Sequence, residues 1–166
     1  AFKVIDDNYT RTLLKVITPT ANVTGTTAET VLYTWAVPAN TLNANDRMKL
    51  EELTIISNGT LLANSTARVR FNTTSTIDTS TNNKVFAIAP LISGSPDRFV
   101  NISRTINFSL GKIGGLFNLG QLYSDNTSSA YSFNNFDTTV DNWFFFTIQL
   151  GNTADSVYMK NLIITK

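Results

Sequence analysis

An all-β fold, a two-sheet antiparallel sandwich of jelly-roll-like type, is what this sequence predicts, and three observations carry it. Helical periodicity is absent along all 166 residues, while short runs of β-branched and aromatic residues recur. Those runs are separated by clusters of Thr, Asn, Ser and Gly, residues that favour turns. Trp143 to Leu150, within the closing stretch Asn142 to Lys166, is apolar on both faces. Phe144, Phe146, Ile148 and Leu150 alternate onto one side, with Trp143 and Phe145 on the other. Such a strand belongs mid-sheet, with partners beside it.

Taken in order, Phe2 to Ile5 reads as a short strand or arm and Thr10 to Ile17 as a strand closed by Thr18-Pro19. Thr30 to Val37 alternates cleanly and ends at Pro38, which cannot donate to a ladder. Met48 to Ile56 follows, then Asn58-Gly59, a strong hairpin signal. Thr66 to Phe71 places Ala67, Val69 and Phe71 inward, with Arg68 and Arg70 outward. Thr73 to Asn83 is a low-complexity loop, Lys84 to Ala89 a short strand, and Leu91 to Arg98 a loop with Gly94 and Pro96. Phe99 to Leu110 alternates well, with Asn101, Ser103, Thr105, Asn107 and Ser109 on its polar face. Gly111 to Gly120 is glycine-rich and ambiguous, and Gln121 to Asp141 is expected to be irregular. Trp143 to Leu150 and Ser156 to Thr165, joined by Gly151 to Asp155, read as a hairpin. That gives about nine strands and no internal repeat.

Two charges fall on apolar faces: Arg104 within Phe99 to Leu110, and Glu52 beside Met48, Leu50 and Ile56. An unpaired buried charge is costly. The two side chains are therefore expected to meet or to share an interface, unless a bulge turns each of them outward.

Length predicts one domain over 1–166, with 1–9 as an N-terminal arm. The net charge is +1 and only 15% of residues are charged, which argues against nucleic acid as a partner. No apolar run is long enough to insert into a membrane. The N-terminus lacks both the signal-peptide pattern and a starting Met, as a processed chain or an excised domain would. Cys and His are both absent. Disulfides, thiol nucleophiles, Cys/His zinc sites and Ser-His pairs are thereby excluded.

No catalytic set is marked. Asp6-Asp7 and Glu51-Glu52 are sequence neighbours, so on a strand their side chains point to opposite faces. Asp125, Asp137 and Asp141, with Asn126, Asn134 and Asn135, could supply oxygen ligands to calcium, but the D-x-[DN]-x-[DN]-G pattern is missing. No metal or cofactor is expected. The site candidate is an aromatic loop: Tyr123, Tyr131, Phe133 and Phe136 among Asp125, Asn126, Asn134 and Asn135. Aromatic faces stack on sugar C–H faces while amides and carboxylates bond hydroxyls. The competing reading folds these rings back to plug the end of the sandwich.

A sequence of segments points further. Thr24-Gly25-Thr26-Thr27-Ala28-Glu29-Thr30 leads into a strand and then Val37-Pro38-Ala39-Asn40-Thr41-Leu42. Arg70-Phe71-Asn72-Thr73 and the strand bearing Arg104 follow. Asp141-Asn142-Trp143 and Gln149-Leu150-Gly151-Asn152-Thr153-Ala154-Asp155 come last. From Val23 to the end, this order resembles the β-domains of tailed-bacteriophage virions, as in tail-fibre, receptor-binding and head-fibre proteins. The resemblance implies a non-enzymatic virion surface protein, a homotrimer in contact with other virion proteins. It also implies host attachment, here through a bacterial surface polysaccharide. Binding residues of such proteins sit in divergent loops, so none transfers by position. Alternatives from the same residues are a structural capsid or fibre decoration module without a ligand, and a carbohydrate-binding module.

Overall fold

A computed structural model describes residues 11–43, 46–57, 65–79, 85–91, 99–109, 111–116 and 131–166. They contain eleven strands: β1 (Thr12–Val16), β2 (Val23–Thr24), β3 (Thr30–Val37), β4 (Arg47–Ser57), β5 (Ser65–Asn72), β6 (Val85–Leu91), β7 (Phe99–Ser109), β8 (Lys112–Leu116), β9 (Tyr131–Asn135), β10 (Asn142–Gln149) and β11 (Ser156–Thr165). A seven-stranded sheet runs β1-β11-β4-β7-β8-β9, with β2 also on β11. A four-stranded sheet runs β3-β10-β5-β6. All pairings are antiparallel, and the two sheets form the expected sandwich.

The core lies between the sheets. Phe144, Phe146 and Ile148 of β10 face Met48, Leu50, Leu53 and Ile55 of β4, Val100, Ile102, Ile106 and Phe108 of β7, and Val157, Met159, Leu162 and Ile164 of β11. As its apolarity demands, β10 is central, between β3 and β5.

The closing hairpin is not what the chain forms. β10 belongs to the smaller sheet and β11 to the larger, so Gly151–Asp155 crosses between sheets. The sequence pattern of two strands and a polar turn is the same for a hairpin and a crossover. Burial decides it here, because both strands are apolar enough to need partners on both sides. The glycine-rich ambiguity also resolves: β8 pairs with β7, and Gly111, at φ +70°, turns the chain between them. Positive φ is the conformation glycine adopts at little cost. Tyr131–Asn135, expected to be irregular, is instead strand β9 on β8. The arm at 1–9, the strand at Phe2 to Ile5 and the Asn58-Gly59 turn lie outside the described residues.

Two bulges determine which side chains reach water. On β4 the inward residues are even up to Leu50 and odd from Leu53, because Glu51 is an extra residue relative to β7 and β11. Glu52 is therefore turned outward, with Thr54 and Ile56. On β11 the inward set changes from Val157 and Met159 to Leu162 and Ile164, because Lys160 is extra. A bulge puts two residues opposite one and reverses the alternation beyond it. β7 has no such slip, so Arg104 stays inward at 1% exposure, its Nη1 donating to the Ser103 carbonyl at 2.8 Å. The expected meeting of Glu52 and Arg104 does not occur: they lie on opposite faces of the same sheet.

Candidate functional site

The residues expected to bind divide three ways. Tyr123, Asp125 and Asn126 lie outside the described residues. Tyr131, Phe133, Asn134 and Asn135 fall along β9, opposite Leu116, Gly114, Ile113 and Lys112 of β8. Asn134 is part-buried and Asn135 exposed. Phe136 is a core residue at 6% exposure. Its ring centroid lies 5.3 Å from that of Phe71, 5.2 Å from Phe108 and 5.9 Å from Phe144. This one ring of the four packs into the core, and the side chains of the other three lie outside the described residues. Beside it is a cavity of about 20 Å³, lined by Phe108, Ser109, Gly111, Lys112, Phe136 and Thr138, room for one water.

Of the carboxylates considered for calcium, Asp125 lies outside the described residues, and Asp137 and Asp141 are engaged with the backbone. Asp137 Oδ1 accepts from the Thr139 hydroxyl at 2.6 Å and the Thr139 N–H at 2.8 Å. Those bonds hold the Asp137 carboxyl below its ordinary range. Asp141 accepts from the Ala39 N–H at 2.8 Å. Among the described residues no group of three or more acidic side chains could hold a metal ion.

A different surface combines the chemistry that was sought in the loop. The outer face of the larger sheet carries a row Tyr158–Ile56–Phe99 across β11, β4 and β7. Beside it runs a second row, Asn161–Thr54–Asn101. Adjacent strands are about 4.8 Å apart, and residues two positions apart on one strand are about 6.8 Å apart. All six side chains therefore fall within a patch about 10 Å across. Phe99 is 58% exposed. Tyr158 and Ile56 are half-buried and Asn101 is exposed.

The bulges bring Glu52 and Asn161 to this face. Glu52 Oε1 accepts from the Thr54 hydroxyl at 2.7 Å and from Asn161 Nδ2 at 3.0 Å. Those two bonds, with the Lys160 charge, hold the carboxyl below its ordinary range against the opposing effect of burial. Glu52 is thus an oriented, ionised acceptor. Lys160 Nζ lies over the Phe99 ring, 5.6 Å from its centroid. An exposed ring, two amides, a carboxylate and an ammonium make an amphipathic platform, flat rather than concave, for a ligand with one apolar face and many hydroxyls. The sequence marks this surface only in part: the polar alternation of β7 is visible, but Glu52 and Asn161 reach it through bulges.

The outer face of the smaller sheet is organised differently. A bulge at Phe146/Thr147 turns the start of β3 so that Glu29 lies across the sheet. Its carboxylate accepts from Arg70 Nε at 2.6 Å, Arg70 Nη2 at 2.7 Å and the Thr147 hydroxyl at 2.5 Å, and faces Arg68 Nη1 at 3.6 Å. Burial pushes the Glu29 carboxyl up, but the Arg70 and Thr147 hydrogen bonds and the two arginine charges outweigh it and hold it below its ordinary range. Gln149 Nε2 adds a bond to the Thr27 carbonyl. This cluster straps 27–30 over Phe145 and Thr147, both within 2% of full burial. It is a structural clamp.

No family model matches the chain, and no curated protein matches it. One solved structure is similar, the CBM2 module of Lactobacillus casei BL23 phage J-1 evolved Dit. It has a TM-score of 0.37 and 8% identity, over 80% of this chain and 67% of that one. A likeness that distant carries no weight for function.

Proposed function

We propose that this chain is a non-catalytic phage virion surface protein that binds host bacterial surface carbohydrate, as a homotrimer. The observation that supports it best is the exposed Phe99 ring with Asn101, Asn161, Glu52 and Lys160 around it. The ring offers a stacking face and its neighbours offer hydrogen bonds, at little desolvation cost on an open strand surface. A flat platform of this size gives modest affinity. Three copies on one particle would multiply it by tethering, in keeping with the virion assembly that the resemblance implies. β9, with Tyr131, Phe133, Asn134 and Asn135, is a second candidate for the same role, and Tyr123, Asp125 and Asn126, expected to bind with them, lie outside the described residues.

The test is a screen of labelled protein against bacterial polysaccharides, repeated with Phe99→Ala, Tyr131→Ala and Phe133→Ala. Loss of binding in Phe99→Ala alone supports the strand face, and loss in either β9 variant moves the site to β9. Both tryptophans, Trp35 and Trp143, lie in the smaller sheet. Their fluorescence should therefore stay unchanged on binding at the strand face.

The exposed ring supports a second reading, a decoration module in which Phe99 seats a neighbouring subunit. Dissociation of the oligomer by Phe99→Ala, with no glycan bound by the parent, would favour that reading.

A further inference from the structure

We propose that Lys160 is the specificity-determining residue of the Phe99 face, and that it selects sugars bearing an anionic group, a carboxylate or a phosphate. The inference rests on the reading of that face as a carbohydrate platform. Lys160 is the extra residue of the β11 bulge and keeps the outward side that alternation from Tyr158 gives it. Its ammonium stands over the ring that a sugar would need for stacking.

Among the described residues the Lys160 ammonium makes no ion pair within 4 Å. The carboxylate that feels its charge is Glu52, whose Oε1 is already engaged by Thr54 and Asn161. The remaining groups facing it from β4 and β7 are Ile56, Phe99 and Asn101, none of them charged. Of the other charges of β4, Lys49 and Glu51 pair with each other at 2.6 Å, and Arg47 lies at the far end of the strand.

Two classes of ligand meet this cation differently. A neutral sugar must displace it from the ring and forgo the cation–π attraction, a loss of about 2- to 5-fold in affinity at an exposed site. A sugar with an anionic substituent can draw the ammonium aside into a charge-assisted hydrogen bond, freeing the ring and gaining a contact in one movement. Lys160 therefore penalises the first class and favours the second.

The experiment uses a matched pair of probes, trigalacturonate and its fully methyl-esterified form, which share one sugar backbone and differ in charge and in the ester methyls. Binding is followed by NMR through the Phe99 ring and Lys160 Hε signals, in the parent, Lys160→Met and Phe99→Ala. Lys160→Met keeps the stem at an exposed position and removes the charge. In the parent, Lys160 Hε should be shifted upfield by the ring, and the trianion should bind more tightly than the ester.

In Lys160→Met the ester should gain about 2- to 5-fold, and the trianion should weaken and lose its salt dependence. Equal binding of the two probes by the parent, or an unchanged ratio in Lys160→Met, overturns the role of Lys160 while leaving the platform standing. If neither probe moves the Phe99 signals, or Phe99→Ala binds as the parent does, the carbohydrate platform fails, and this inference with it.

Discussion

Replacing Glu29 with Gln should be among the most damaging single changes on the outer surface of this fold. The Glu29 side chain is only 8% exposed and the Arg70 side chain 4%. Two guanidinium groups converge on one carboxylate, Arg70 through two bonds of 2.6 and 2.7 Å and Arg68 at 3.6 Å. Removing one partner of a buried pair costs about 3–5 kcal/mol. The lower end applies, because the amide can still accept one hydrogen bond and Thr147 can turn to another acceptor. At a urea slope of about 1–3 kcal/mol/M, a 3 kcal/mol loss lowers the midpoint by at least about 1 M. Equilibrium urea unfolding at pH 7, followed by Trp143 on the adjoining strand, measures it.

The pH dependence provides a second readout. The folded Glu29 carboxyl lies below its ordinary value of 4.5. Its contribution is therefore present above that value and lost as pH falls through the folded one. The parent should lose more stability between neutral pH and acid than Glu29→Gln does. A variant within about 0.5 kcal/mol of the parent, with the same acid profile, would refute the clamp.

Two further outcomes follow from the core and the turns. Phe136→Ala should cost about 3–5 kcal/mol, because it opens a cavity among Phe71, Phe108 and Phe144. Thermal unfolding would show it, and a loss under about 1 kcal/mol would mean that the ring is not a core plug. Gly111→Ala should cost about 1 kcal/mol: nothing lies within 4 Å of the added methyl, so only the positive φ opposes it.

The legibility of this chain depends on where alternation holds. β5 and β7 keep a period of two, and their inward and outward sets are readable residue by residue, whereas β3 slips at its bulge, where Leu32 and not Val31 joins the core. β4 and β11 slip as well. Glu52 was placed with Met48 and Leu50 because nothing in Lys49-Leu50-Glu51-Glu52-Leu53 announces a bulge. Only the later odd-numbered set Leu53, Ile55 and Ser57 betrays the slip, and Ile56 masks it. Arg104 was correctly seen as a charge on an inward face. The C-terminal pair shows the other limit, since strand existence is local information and strand partnership is not. The site was harder still. The sequence pointed to aromatics clustered along the chain, whereas the exposed platform is assembled across three strands more than forty residues apart in sequence.

The two bulges argue that the platform is more than leftover surface. A sandwich needs its outer face only to be polar, and Asn101, Ser103, Thr105 and Asn107 satisfy that need without disturbing the ladder. The Glu51 and Lys160 bulges each break pairing in strands whose inward residues are all but fully buried. Their joint effect is local: one turns Glu52 outward and the other turns Asn161 outward, and the two meet in a hydrogen bond beside Thr54. Bulges concentrate where a sheet re-aims a side chain. Here two neighbouring strands interrupt their pairing where Glu52, Thr54 and Asn161 join in hydrogen bonds on the outer face, an arrangement that a merely polar surface does not require.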